Sequence, residues 1–501
     1  MSSTNDTRIS RRTPARTQNE IQRDKDKAKV KKIVIRAVLI CALVLALFLI
    51  FINTGLFYRT ATAATVDGRN FSVAEFNIYY MTSVNNNYSA LHSNYGDFAN
   101  QVLDTSKPYD QQMYSSTMTW DEFFTQTSLA KMTSVKLLND MAAKDDGFSL
   151  TEDQKAELDS LIASPETYAK LYNISVSRYL QSAYGKGVNR KLYNKTVTEM
   201  YIADVYGAYI ADNYEYTSDQ LDSYYKAHTN DFDTVSFRAY QFLAETGDEV
   251  DKDKALEDTK AVAQEIVDSA DSADKFDELI LDYEKENDLR DGVIVSSYIK
   301  YAGVSETYRE WLFSNDRQPG DTTVIVNSSK NGCYALYFEG RDTRDYPYVE
   351  VRQILVSADT DDSGNTIDSS MPEAKAKAEA LLAEWKSGAA TEESFKQLLD
   401  DHSSEDDVNG SYIDRLYYGA TGVTVFEEWA LDPERQPGDT EIIETPYGYH
   451  IAYFVRTGDN AREYYVRKTM ADENYTDWLE QQLNQTSATL NKFGYYFTRD
   501  F

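Results

Sequence analysis

Apolar residues follow three rhythms along this chain. From Ala37 to Ile52 they run without a break, and Ile33-Val34-Ile35 and Leu56-Phe57-Tyr58 extend the run on either side. Between residues 72 and 228 they recur at helical spacing behind repeated start signals. Ser72-Val73-Ala74-Glu75, Thr119-Trp120-Asp121-Glu122, Thr151-Glu152-Asp153-Gln154 and Thr217-Ser218-Asp219-Gln220 each place a hydroxyl three residues before an acid or amide. That pattern satisfies the free N–H groups of a helix start. A strand and turn precede them at 64–71, with Asp67-Gly68 as the hairpin signal. A polar loop interrupts the helices near 93–118. From Val235 onward the texture changes to strands mixed with short helices.

This later part contains an internal repeat. Val235-Ser236-Phe237-Arg238 parallels Val349-Glu350-Val351-Arg352, and the hexapeptide from Arg317 to Thr322 recurs identically from Arg435 to Thr440. Trp311 and Trp429 stand six positions before each hexapeptide, and the stretch from Asn331 to Phe338 parallels Tyr447 to Phe454. The offsets are 114, 118 and 116 residues. Identity over six residues at a near-constant offset predicts two tandem copies of one domain, at 233–343 and 347–457.

The second copy shows its elements most clearly. Val349 to Val356 reads as a strand. Pro372 opens a helix, where its missing N–H costs nothing; Ala374, Ala378, Leu381, Leu382 and Trp385 form its apolar face, and Gly388 stops it. Thr391 caps a second helix bearing Phe395, Leu398 and Leu399. A strand from Gly410 to Leu416, a helix from Val425 to Leu431 and two strands near 440–444 and 449–455 follow. The order is β-α-α-β-α-β-β, an α+β domain. In the tail, 458–501, residues 464–484 read as helix and Gly494-Tyr495-Tyr496-Phe497 as a closing strand, docked back on the helical region.

Charge sharpens the picture. Residues 1–36 carry eleven Lys or Arg against four Asp or Glu, a net of +7; the whole chain is −31, which leaves −38 for the remainder. Such a surface cannot neutralise phosphates, so nucleic acid is excluded as a partner. Tyrosine is abundant, at 39 residues, which reads first as a way of packing helices. The two cysteines, Cys41 and Cys333, give no disulfide framework.

The long apolar run predicts a single membrane-spanning helix at 33–58, since roughly 20 apolar residues span a bilayer. Arg36 can snorkel to the headgroups. The basic flank, 1–32, lies wholly before the run, which places it in the cytoplasm and the bulk outside the cell membrane. Ala61-Thr62-Ala63 resembles a signal-peptide cleavage site, but the basic region is too long and the apolar run too extended for a typical one.

The residues of the second copy resemble parvulin-type (PpiC) peptidyl-prolyl isomerases. Val351-Arg352-Gln353-Ile354-Leu355-Val356, Phe426-Glu427, Pro437-Gly438-Asp439 and Tyr447-Gly448-Tyr449-His450-Ile451 carry the resemblance. Residues 62–232 are similar to the helical N-terminal domains of the SurA and PrsA foldases, with Val66-Asp67-Gly68 as the opening. The resemblance implies an isomerase site made of two facing histidines, a nearby Cys or Asp and an apolar proline pocket. His450 matches the second histidine, Phe426 a pocket phenylalanine, and Leu431 falls where another is common. Gln353 stands where the first histidine is expected and Gly422 where a pocket methionine is expected. Asp406, within the stretch from His402, is the choice for the Cys-or-Asp position. The catalytic set is therefore His450, Gln353 and Asp406, and the substrate-binding set Phe426, Leu431 and Gly422. In the first copy Ala239 and Tyr334 replace the two polar positions, which implies an inactive domain.

Other chemistry is not indicated. Asp359-Thr360-Asp361-Asp362-Ser363-Gly364 resembles the start of a calcium loop, but its twelfth position is Ser370 and the flanks are not two helices. Four histidines without a His-Glu-x-x-His argue against a zinc peptidase. No cofactor or metal is expected. The reading is a membrane-anchored isomerase and foldase whose partners are unfolded or proline-containing secreted polypeptides. The alternative is a non-catalytic holdase chaperone or envelope scaffold that uses the parvulin-like domains for peptide binding.

Overall fold

The computed structural model describes residues 18–499 except 54, 248–249 and 362. Two compact units divide the chain: one is built from residues up to 213 with 473 onward, the other from 214–472.

In the first unit the hairpin signal is realised. Strands β1 (Thr62–Val66) and β2 (Arg69–Ser72) pair antiparallel around Asp67 and Gly68, both at positive φ, 44° and 77°. Ser72 Oγ then accepts the amide of Glu75 and starts the helix Val73–Tyr95. Glu75 does not close the box; its carboxylate pairs with Arg69 and Lys195 instead. Thr119 and Thr151 form full capping boxes on the helices Trp120–Ala142 and Glu152–Leu171. Tyrosines pack this core: Tyr58, Tyr79, Tyr80, Tyr193 and Tyr206 are buried beside Phe71, Phe76 and Phe124. The region near 93–118 holds a one-turn helix, Ala99–Val102, and a small hairpin of β3 (Met113–Ser115) and β4 (Met118–Thr119).

Two sequence expectations are corrected in this unit. No helix among the described residues is long and apolar enough to cross a membrane. The helix Gln18–Asn53 has 36 residues, but Lys29, Lys31, Lys32 and Arg36 punctuate it before the unbroken apolar run. The unbroken run from Ala37 to Ile52 makes about 24 Å of helix, against a hydrocarbon core of about 30 Å. Arg36 separates Ile33-Val34-Ile35 from the run, and Leu56-Phe57-Tyr58 belong to a separate helix, Leu56–Thr60, whose Tyr58 is buried in the protein core. The single-pass placement, with a cytoplasmic N-terminus and the bulk outside, rested on that span and falls with it; residues 1–17 of the basic tail lie outside the described residues. The second correction is at the tail. Residues 494–497 are not a strand: Asn491 Oδ1 accepts the amides of Phe493 and Gly494 and opens the helix Lys492–Tyr496. The strand is Ala488–Leu490, antiparallel to β1.

The second unit holds two four-stranded sheets of one design. The earlier sheet comprises β5 (Thr234–Leu243), β6 (Ile294–Lys300), β7 (Thr322–Val326) and β8 (Gly332–Asp342), in the order β6-β5-β8-β7. The later one comprises β9 (Pro347–Ser357), β10 (Val408–Leu416), β11 (Thr440–Thr445) and β12 (Gly448–Asn460), in the order β10-β9-β12-β11. Every neighbouring pair is antiparallel. In the later sheet the helices Met371–Ser387 and Glu392–His402 follow the first strand and Thr424–Ala430 precedes the third. The first two cover one face, burying Trp385 and Phe395 against Ile354, Val356 and Ile451. The third covers the other, burying Phe426 and Trp429 against Val351, Ala452 and Phe454.

The repeated hexapeptide performs the same structural task in each sheet. Gly320 N donates to Phe338 O at 2.8 Å and Gly438 N to Phe454 O at 2.9 Å. Phe338 N and Phe454 N return bonds to Asp321 O and Asp439 O. Arg317 lies 4.7 Å over the ring of Trp311, as Arg435 does over Trp429. The hexapeptide thus staples a turn to the last strand, and its identity in both places follows from geometry rather than chemistry.

Candidate functional site

Side chains alternate across a strand, so β12 sends Tyr449, Ile451 and Tyr453 to one face and His450, Ala452 and Phe454 to the other. On β9, Val351 and Gln353 share the face of His450. The register sets Gln353 opposite Ala452 and His450 opposite Leu355, a diagonal pair. Gln353 Nε2 donates to Ser411 Oγ at 3.1 Å, which turns its Oε1 toward the imidazole. Oε1 can only accept, so His450 Nδ1 carries the proton and donates to it. The ring of Phe426 lies beside that of His450, with centroids 5.4 Å apart.

His450 is 6 % exposed. Burial holds its imidazole down to about 4, because a low-dielectric site disfavours the charged form. The ring is neutral at pH 7, and its Nε2 is a buried acceptor with no partner among the described residues. Stability should therefore fall as pH falls from about 6.5 to about 4. Over that window the unfolded chain binds a proton that the folded chain refuses, a loss of about 1–3 kcal/mol. His402 has the opposite sign: Glu405 and Glu384 hold its pKa up, so its contribution is present in acid and lost as pH rises. Denaturant unfolding between pH 4 and 7 should show a shallower acid loss in His450→Ala than in wild type; equal slopes would refute the burial argument.

The helix Thr424–Ala430 is held by a device that sequence spacing did not reveal. Glu427 is 0 % exposed. Its carboxylate accepts the amides of Gly419 at 2.7 Å, Thr421 at 2.6 Å and Gly422 at 3.2 Å, and the Thr421 hydroxyl at 2.7 Å. One buried acid thereby organises the whole loop that enters the helix and sets where Phe426, its neighbour, points.

The structure brings together His450, Gln353 and Phe426. Leu431 ends the same helix, half-buried against the Phe426 cluster. Gly422 lies in the Glu427 loop at φ 71°, and open space surrounds the place of a side chain there. Asp406 is elsewhere. It is exposed and lines a cavity of about 780 Å³ with Ser357, Lys377, Glu405 and Asp407, beside the helix that covers the opposite face. The strand partner that does reach Gln353 is Ser411, whose role only the sheet register reveals. Phe426 is 1 % exposed, so in this structure it supports the imidazole rather than lining an open pocket.

Residues 334–456 match the family described as the PPIC-type PPIASE domain. This segment is a parvulin-type domain. The match begins on β8, within the earlier sheet, and ends on β12. No curated protein matches the chain. Among solved structures, a match is to a SurA-like protein of Campylobacter jejuni, from a study titled for the virulence factor PEB4 and the periplasmic protein Cj1289 as two structurally related SurA-like chaperones. It is 9 % identical, covers 71 % of this chain and 99 % of that one, and superposes with a TM-score of 0.17. So loose a superposition carries no argument about this chain. The parvulin domain is thus identified by sequence family, with His450 on the strand that closes it.

The earlier sheet repeats the arrangement without the chemistry. Tyr334 sits opposite Gln241 and Ala239 opposite Leu336, the registers of His450 and Gln353. Tyr308 packs edge-on to Tyr334 at 5.2 Å, in the place that Phe426 takes, tilted, beside His450. Arg309 stands at the Glu427 position and donates to Val304 O.

Proposed function

We propose that this protein is a peptidyl-prolyl cis-trans isomerase that acts on unfolded or proline-containing polypeptides. Its two sheets would be copies of one domain, 233–343 and 347–457, of which the second is active. The observation that carries this is the oriented, neutral His450, held by Gln353 and backed by Phe426, within a parvulin domain.

The chemistry follows from the barrier. Rotation about a peptide bond costs about 18–20 kcal/mol, and a catalyst need break no covalent bond to lower it. A twisted amide loses resonance, so its nitrogen gains basicity and its carbonyl becomes ketone-like. Fixed dipoles matched to that state favour it over the planar amide. Gln353 cannot titrate, and His450 stays neutral; the pair orients and polarises, and no proton needs to leave the site. In the earlier domain Ala239 and Tyr334 supply no such pair, which fits a binding or spacing role.

The test is isomerisation of a short prolyl peptide by the whole chain and by His450→Ala. Wild type should exceed the uncatalysed rate, and the variant should lose about 10–100-fold. A wild-type rate at background would remove the isomerase reading. A second reading, a holdase chaperone, is favoured by one feature of the first unit: Tyr95, Phe98, Met113 and Tyr114 are exposed, Phe98 by 67 %. Suppressed aggregation of an unfolded client by an isomerase-inactive chain would support it.

A further inference from the structure

We propose that Tyr298, on the earlier sheet, is a positioning residue for the site on the later one; this rests on the isomerase reading above. Three observations converge on it. The first is a bulge. Val235 pairs with Ile299 and Phe237 with Ser296, so Ser297 and Tyr298 together oppose Ser236. Two residues against one bend a strand and re-aim a side chain.

The second is strain. Tyr298 has φ 54°, in the left-handed region, which costs a bulky residue of this kind and persists only where its surroundings over-determine it. Ser236 Oγ holds the Tyr298 amide at 3.0 Å. Glycine is the residue that adopts this conformation freely, so the choice of tyrosine points to a use for its ring.

The third is what the ring meets. It stacks on Tyr418 at 5.2 Å and 11°. A Cβ on the next residue, Gly419, would come within 2.6 Å of Tyr298 Cβ, and Gly419 itself lies at φ 83°. Tyr346 completes the grip: its hydroxyl accepts the Tyr418 amide at 3.2 Å and donates to Asp342 at 2.9 Å. Tyr418 and Gly419 begin the loop that Glu427 gathers in its carboxylate. Thr424 and Glu428, on the outer side of the following helix, line a cavity of about 550 Å³ with Tyr298 and Tyr418, while Phe426 faces inward to His450.

The chain of contacts therefore runs from the bulge to Tyr418 and Gly419, to Glu427, to Phe426 and to the imidazole. Tyr298 fixes the height of the 417–423 loop, and the loop fixes the ring that backs His450. The earlier domain, which lacks the polar pair, thereby contributes to the site of its neighbour.

The experiment compares Tyr298→Gly, Tyr298→Phe and wild type as whole chains. The glycine keeps the left-handed bulge without strain and removes only the ring; the phenylalanine keeps the stack. Two readouts are taken: isomerisation of a prolyl peptide, and the His450 Cε1–H resonance, which sits in the ring current of Phe426. Tyr298→Gly should lower kcat/KM about 3–30-fold, the usual span for coupling through packed neighbours, and move the His450 resonance. Tyr298→Phe should match wild type in both, and Val295→Ala, an exposed site on the same strand, should change neither. An unmoved resonance in Tyr298→Gly, or a phenylalanine variant as impaired as the glycine one, would overturn the proposal. A chain without isomerase activity would remove the isomerase reading, while the resonance would still decide whether Tyr298 positions His450.

Discussion

Glu427→Ala should destabilise the parvulin domain by about 3–5 kcal/mol, the usual consequence of breaking a buried charged network. The carboxylate is fully enclosed and accepts three backbone amides and one hydroxyl. Its loss leaves those donors facing an apolar interior, and each unmet buried donor costs about 1–3 kcal/mol. Relaxation of the loop toward water, where Thr421 and Gly422 are exposed, offsets part of that sum. Glu427→Gln should lie between wild type and alanine, because its oxygen can accept while its NH2 would face the same N–H groups. Denaturant unfolding checks the ranking. A cost below about 1 kcal/mol for alanine would mean that the loop holds itself and that Glu427 does not organise the site.

Gly448→Ala should be nearly as damaging, at about 2–5 kcal/mol. A Cβ at Gly448 would lie 2.2 Å from Val356 O, on the neighbouring strand β9, and 2.9 Å from the backbone N of Ala358, just past its end, and the residue sits at φ 134°. Neither atom can move without opening the β9–β12 pairing, two residues from His450. Gly332 meets the same obstacle in the earlier sheet, where a Cβ would lie 2.1 Å from Phe242 O. Gly332→Ala should therefore lower the stability of its own sheet while leaving the His450 resonance unchanged. Thermal unfolding that shows Gly448→Ala as stable as wild type would contradict the steric account.

These two residues also show how far a linear reading reaches. Gly448 belongs to the Tyr-Gly-Tyr-His stretch that carried the family resemblance, so the motif made it legible, but the reason for it is tertiary: its strand starts where the backbone of Val356 passes too close for a side chain. Glu427 belongs to the Phe-Glu pair, yet its task spans eight residues of loop and depends on complete enclosure. Capping hydroxyls at Thr119, Thr151 and Thr217 were legible because a helix start is closed within four residues. The membrane span was misjudged because apolar composition was counted across two helices, one of which buries Tyr58 in the core. The closing strand at 494–497 was misplaced because Asn491 caps a helix there and the pairing partner of β1 lies a few residues earlier.

Asp406 marks the limit at the site itself. Chain proximity to the expected Cys-or-Asp position suggested it, but Asp406 is exposed and lines a cavity with Lys377, Glu405 and Asp407, and the register of β10 gives Ser411 to Gln353. By itself the sequence determined the α+β alternation, the repeated motifs, the helix starts and the parvulin-type segment, because periodicity, capping and motif are properties of neighbours along the chain. Tertiary structure alone decided that His450 is buried and neutral, that Gln353 turns its oxygen toward it, that Glu427 gathers the adjoining loop and that Tyr298 reaches that loop from another sheet. Those facts depend on strand register and on which groups lose their water, and both are settled only when distant segments close on one another.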